Sequence, residues 1–178
     1  MKFGNASWGF RENPLDKQLE ITSGMGLPLL ELGIANAPND LPLDITDSEI
    51  EKVKELFEEY KISLECGATG NDFTNGNKDD VAKIRKVIDS CKKLGVKYLR
   101  IFAGFSPVNE VTGKRWDIMI GCLKETGEYA KAKGIIPVVE THGGVIGYAD
   151  GVQHFHSTST EPTALLKMLS ELPDLMIN

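Results

Sequence analysis

The sequence has little of what marks several classes of protein. Of its 178 residues three are cysteines, Cys66, Cys91 and Cys122, widely spaced and without a CxxC pair, so no disulfide framework is encoded. None has a neighbouring base that would make it a nucleophile. No apolar run reaches membrane-spanning length, and Met1 to Ser7 lacks the apolar core of a signal segment. Positive charge is not in excess: 20 Lys and Arg stand against 26 Asp and Glu, a net −6. A generally basic surface for nucleic-acid phosphates is therefore missing. Gly67-Ala68-Thr69-Gly70 carries two glycines but no complete nucleotide-binding loop. A content of 41% hydrophobic and 26% charged residues excludes a disordered, collagen-like or low-complexity chain. The expectation is a cytoplasmic protein with neither a membrane nor a nucleic acid as partner.

What is present is an alternation of short apolar runs and amphipathic segments. Strands are predicted to begin near Phe3, Leu27, Ile62, Val96, Ile135 and Asp174, spacings that each admit a strand, a helix and two loops. Asn13-Pro14 reads as the start of the first helix, with Asn13 as its cap. Thr46-Asp47-Ser48-Glu49 reads as a capping box ahead of Ile50, Val53, Leu56, Phe57 and Tyr60. The stripe from Val81 to Leu94 stops at Gly95, and that from Ile118 to Ala130 stops before Gly134, both left-handed cap positions. A fifth helix starts at Thr160-Glu161-Pro162 and buries Leu165, Leu166, Met168 and Leu169. Such units predict an α/β fold with a parallel sheet, doubly wound or a (β/α)8 barrel. The sixth strand, near Leu175 to Asn178, has no covering helix after it, which is unusual for a parallel strand. Two further units of roughly 35 residues would bring the chain to about 250, a common length for such a barrel. The expectation is thus one domain over 1–178, the N-terminal portion of a (β/α)8 TIM barrel with about six strands and five helices.

Alternation along each strand separates two faces. If the aliphatic parity packs under the helices, the other parity turns Glu31, Glu65, Arg100 and Glu140 inward at the carboxyl ends of the strands, the rim from which barrel enzymes draw their catalytic residues. Gathered carboxylates are unfavourable unless paired or bound to a cation. Arg100 is expected to neutralise one of them, Glu65 on the adjacent strand, and a divalent metal on hard oxygen ligands would relieve the rest. The plainer alternative is a salt-bridged polar plug. In Glu140-Thr141-His142-Gly143-Gly144 the acid and the histidine share one face before a glycine pair. Glu140 is the expected metal ligand, and His142 a substrate-hydroxyl contact or a hydrogen-bond partner of Glu140. The segment from Gly143 to Thr158 reads as a long functional loop carrying His154 and His156, either of which could bind a polar substrate. Trp8, Phe10, Phe73, Phe102 and Phe105 lie near strand ends, where they serve as pocket walls or as core.

Ser7-Trp8-Gly9-Phe10, the Leu29 to Leu32 strand, Lys97 to Gly104 and Val138 to Gly144 together resemble the xylose isomerase-like TIM barrels, more narrowly the sugar phosphate isomerase/epimerase group. The resemblance implies a divalent metal (Mn, Mg, Co or Zn) held at the mouth by acids and a histidine. Glu140 matches the glutamate that closes the fifth strand in that family. The family's next ligand, an Asp just past the sixth strand, and the later His and Glu would lie beyond Asn178. The resemblance also implies an isomerase or epimerase acting on a sugar, sugar phosphate or related polyol. Glu140 would be both catalytic and a metal ligand, with His142, Arg100, His154, Trp8 and Glu65 toward substrate. Two other readings stand beside it. An endonuclease IV-like hydrolase needs several histidines for a zinc cluster and a basic groove, whereas three histidines and a net −6 are present. A non-catalytic fragment or binding module would expose sheet edges and pair with a second copy as a homo-oligomer.

Overall fold

The computed structural model describes residues 3–76 and 78–178. Along the chain run β1 (Asn5–Ala6), α1 (Leu15–Gly24), β2 (Leu30–Gly33), α2 (Asp47–Glu59), β3 (Cys66–Ala68), α3 (Lys78–Leu94) and β4 (Tyr98–Ile101). They are followed by α4 (Lys114–Lys133), β5 (Ile136–Val139), β6 (Gly144–Tyr148), β7 (Gly151–Phe155), α5 (Pro162–Glu171) and β8 (Met176–Ile177). Six strands form one parallel sheet in the order β1-β2-β3-β4-β5-β8, as the strand–helix spacing predicts.

The helix limits follow from local chemistry. At α2 the Thr46 hydroxyl accepts from the Glu49 amide while the Glu49 carboxylate accepts from the Thr46 amide, the reciprocal capping box expected from the sequence. Gly95 and Gly134 sit at φ +79° and +76° after α3 and α4, where a side chain would be strained. The start of α1 differs from expectation. Pro14 is its N-cap, and the Asn13 side-chain amide instead donates to the Phe10 carbonyl at 3.4 Å.

One sheet face is dry. Leu30, Leu32, Leu99, Ile101 and Val139 are buried against Leu19, Ile50, Phe57, Ile84, Ile88, Cys91, Met119 and Met168 of the helices. Each such aliphatic side chain contributes about 1.5–3 kcal/mol on burial. Leu166 departs from the predicted stripe of α5, being 67% exposed while Ala164 and Met168 carry the buried face. β5 contains Pro137, opposite Leu99 of β4. The Ile136 and Glu140 amides donate to the Lys97 and Ile101 carbonyls on the β4 side, so the nitrogen of Pro137 faces β8, where it has no proton to give.

The segment predicted as a long loop after β5 is instead an antiparallel hairpin. β6 and β7 pair from Gly144 with Phe155 to Tyr148 with Gly151, around a turn at Ala149 and Asp150. Val145, Ile146, Tyr148 and Val152 on it are exposed, so no buried face announces the strands. The Asp150-Gly151 pair is the turn signal that could have found them.

Candidate functional site at the carboxyl ends of the strands

The second face of the sheet carries the polar residues. Arg100, in the central β4, reaches in two directions. Its Nε donates to Glu31 Oε1 and Oε2 at 3.1 and 3.2 Å, and its Nη1 donates to Glu140 Oε2. Glu31 lies on β2, two strands away, and Glu140 directly follows β5. The Arg100 side chain is only 12% exposed, so the guanidinium links two carboxylates in a largely dry place. Burial pushes the Glu31 carboxyl above its ordinary range. The charge and hydrogen bonds of Arg100 pull it back, and the neighbouring charge of Glu140 adds to the rise.

The expected Arg100–Glu65 pair is not the one formed; the partners are Glu31 and Glu140. The reason is register. Leu29 bridges to Ser63, but Leu32 pairs with Gly67, so one additional residue enters the third strand between them. That shift reverses the alternation. Gly67 faces the helices, where an added Cβ would lie 3.5 Å from the Cys91 sulfur and from Ile34. Cys66 takes the inner position, opposite Tyr98 and beside Glu31 in a cavity of about 250 Å³. Glu65 precedes β3, and its carbonyl accepts from both the Lys97 and Tyr98 amides.

Beyond Arg100 the inner face becomes aromatic. The guanidinium lies 5.2 Å from the Phe102 ring centre. The Phe102 backbone is fixed by Asn71, which donates to its carbonyl at 2.7 Å and accepts from its amide at 2.9 Å. The His142 ring stands edge-on to Phe102 and Phe105, with centroids 5.6 and 5.4 Å away. Ser157 donates to the His142 carbonyl and Ser159 accepts from the His142 amide, which sets the direction of the chain there. His142, His154 and His156 line an open groove of about 460 Å³ together with Gly143, Phe155 and Thr160, brought together by the hairpin. Trp8 lies after β1, 51% exposed, with the Arg11 guanidinium 4.5 Å from its ring centre.

Of the residues singled out in the sequence, Arg100 and Glu140 are thus joined directly and His142 adjoins them through Phe102. His154 shares the groove of His142, and Trp8 and Glu65 lie outside the ion-paired cluster. Sequence reasoning did not place Asp40, whose carboxylate fills the socket left by Gly33, an inward position of β2 without a side chain two residues after Glu31. Among the described residues no group of three or more His, Cys, Asp or Glu is placed to hold a metal ion. Glu140 alone does not make such a site, and its carboxylate is bonded to Arg100.

A parallel sheet backed by helices, with acids and a guanidinium gathered at the carboxyl ends of its strands, defines an α/β barrel architecture. The chain belongs to the xylose isomerase-like TIM barrel family, whose model matches residues 19–172. Among the described residues, six of the eight strands of such a barrel and five α-helices are present. No curated protein is significantly similar to the chain in sequence. Solved structures share its fold. A probable 3-DHS dehydratase, AsbF, involved in petrobactin synthesis in Bacillus anthracis, matches with a TM-score of 0.73 at 14% identity, over 100% of this chain and 62% of that one. A D-psicose 3-epimerase from Clostridium cellulolyticum H10, solved with D-tagatose, gives 0.66 at 11% identity over 98% and 62%. A xylose isomerase-like TIM barrel protein from Mycobacterium smegmatis, in complex with magnesium, gives 0.69 at 14% over 99% and 63%. The chain therefore spans about three-fifths of the length of these structures. No helix among the described residues is long and apolar enough to cross a membrane.

Proposed function

We propose that the chain is the N-terminal part of an isomerase or epimerase that moves a proton on the carbon next to the carbonyl of a sugar, sugar phosphate or related polyol. The observation that carries this reading is the Glu31–Arg100–Glu140 cluster, drawn from three strands to one rim. Glu140 is the proton-transferring carboxylate: it sits at a strand end, half-buried, with its position held by Arg100. Arg100 and His142 face the substrate, the latter with its ring standing against Phe102 and Phe105 as part of an apolar wall that suits the carbon face of a sugar. His154 and Trp8 stand on rim segments that would close over it, and Glu31 takes the pairing with Arg100 that the sequence reading gives to Glu65. A divalent cation, Mn, Mg, Co or Zn, would polarise the carbonyl. Glu140 is this chain's contribution to it, and the other donors lie outside the described residues. The magnesium complex of a protein with this fold supports a cation in the family.

The test is Glu140→Gln in the protein, assayed by proton exchange between solvent and a ketose such as D-fructose. The substitution keeps the size of the side chain and one hydrogen bond to Arg100 but removes the base. Exchange should fall by about a hundredfold to ten-thousandfold. Exchange at the wild-type rate would end the assignment.

A further inference from the structure

The β6–β7 hairpin is a two-stranded ribbon separate from the main sheet. Residues 144–155 carry one formal charge, Asp150 in the turn, on a chain of net charge −6. Val145, Ile146, Tyr148 and Val152 are 40 to 67% exposed and are divided between its two faces. An isolated hairpin of this kind is only marginally stable in water.

One edge of the ribbon is open. The Tyr148–Gly151 pair closes the turn, and the His156 carbonyl turns out of the ribbon to accept from the Val108 amide at 2.9 Å. Residues of an antiparallel pair alternate between facing the partner strand and facing away. By that alternation the backbone groups of Val145 and Gly147 point away from β7. The outer edge of β7 meets the body of the chain at Val108, whereas among the described residues no group bonds to the backbone of Val145 or Gly147. β6 also lacks the proline, lysine or other charge that shields a sheet edge.

The order Gly-Val-Ile-Gly-Tyr in β6 complements itself. In an antiparallel register centred on Ile146, Val145 stands opposite the partner's Gly147 and Tyr148 opposite the partner's Gly144. The larger side chains thus face glycines, and the two Ile146 side chains meet on the axis as a close, non-hydrogen-bonded pair. Gly144 lies under the Phe155 ring of its own chain, so Tyr148 would arrive beside an aromatic neighbour. The same register carries the Asp150 turn toward the partner's His142, an acid toward a base. Elsewhere two acidic chains repel, and this nearly uncharged ribbon is where they can approach. A specific interface needs about 1,000 Å² in total, roughly 500 Å² per copy, which four exposed apolar side chains and the bare backbone of the glycines approach at the weak end of the range.

We propose that the chain forms a two-fold dimer through β6, the two hairpins joining as a four-stranded antiparallel sheet in the order β7-β6-β6-β7. The surface is distinct from the Glu31–Arg100–Glu140 cluster, and its test leaves the isomerase reading untouched.

Sedimentation velocity from micromolar to submillimolar concentration should show monomer passing to dimer. Gly147→Pro removes an N–H that points away from β7 and so spares the hairpin, and a Cβ at 147 meets nothing in its own chain. That variant should stay monomeric. Ile146→Cys should form an intermolecular disulfide under mild oxidation about tenfold faster than Val152→Cys, because only residue 146 meets its own copy on the axis. Exposure alone predicts the reverse, since Val152 is 67% exposed and Ile146 40%. Both variants keep the three native cysteines, so their difference reports the added one. A monomer at every concentration overturns the proposal. So does a dimer that Gly147→Pro leaves intact, which would place association at the outer strands of the main sheet, and so does equal or faster cross-linking at 152.

Discussion

Arg100 Nε reaches Glu31 Oε1 at 3.1 Å across a whole intervening strand. The reach is possible because that strand is Cys66-Gly67-Ala68, with only Cys66 and Ala68 on the inner side and neither large enough to block the guanidinium. Removing the guanidinium leaves two carboxylates facing each other without a cation. Arg100→Met is expected to destabilise the chain by about 2 kcal/mol, below the figure for fully buried pairs because the carboxylates are partly wet. Adding Glu31→Gln should recover part of that loss, measured by urea denaturation of the single and double variants. Strictly additive losses would show that the two groups do not interact.

The Gly33 socket makes a second prediction about coupling. Gly33→Ala places a methyl group where the Asp40 carboxylate rests and should cost about 1–3 kcal/mol. In an Asp40→Ala background the space is open, and the same substitution should cost less than about 1 kcal/mol. Thermal melts of the four chains check this. An equal cost in both backgrounds would place the carboxylate elsewhere.

Titration of Asp40 sets the sign of a pH effect. Burial raises its carboxyl above the ordinary value of 3.8, and the Ala37 and Asn36 amides with the charges of Arg100 and Lys83 offset this only in part. The folded chain therefore holds this proton to higher pH than the unfolded chain does. Its contribution to stability is fullest below 3.8 and is lost as pH rises through the folded value. The urea midpoint of the wild type relative to Asp40→Asn should accordingly fall as pH rises above 3.8 and level off once the folded carboxyl has ionised. A relative midpoint that climbs over this range would mean that the cations outweigh burial.

Thiol chemistry should be quiet in the folded chain. Cys91 is buried under β3, and that burial pushes its thiol up to about 12. Cys66 is raised as well, first by burial and then by the charges of Glu31 and Glu65. At pH 8 Ellman's reagent is expected to label the native chain at least tenfold more slowly than the chain in urea, where all three thiols ionise normally. Rapid native labelling at Cys66 would show the inner cavity to be more open and less acidic than described.

The helices and the strand order are legible in the sequence because each depends on local patterns. The Thr46–Glu49 box, the glycines after α3 and α4 and the aliphatic parity of β2, β4 and β5 all act within a few residues. So does the inward turn of Glu31, Arg100 and Glu140, which needs only alternation. The partner of Arg100 is not legible, since one additional residue before β3 exchanges the roles of Glu65 and Cys66, and nothing in the strand itself announces the shift. The β6–β7 hairpin is hidden for the opposite reason. Its apolar side chains face solvent, so the pattern that marks a buried strand is missing. Asp40 is the hardest to foresee, because its place over Gly33 depends on the path of a whole loop rather than on any spacing.

Pro137 has an effect on the far side of its strand. Lacking an amide proton, it gives nothing to β8, which is held to β5 by the Val138–Met176 and Val139–Ile177 pairs and, farther along, by the Asn178 amide to the Val139 carbonyl and the Thr141 amide and hydroxyl to the Asn178 carbonyl. With one amide bond fewer, this margin of the sheet should admit deuterium before β4, which lies one strand further in and is paired on both sides.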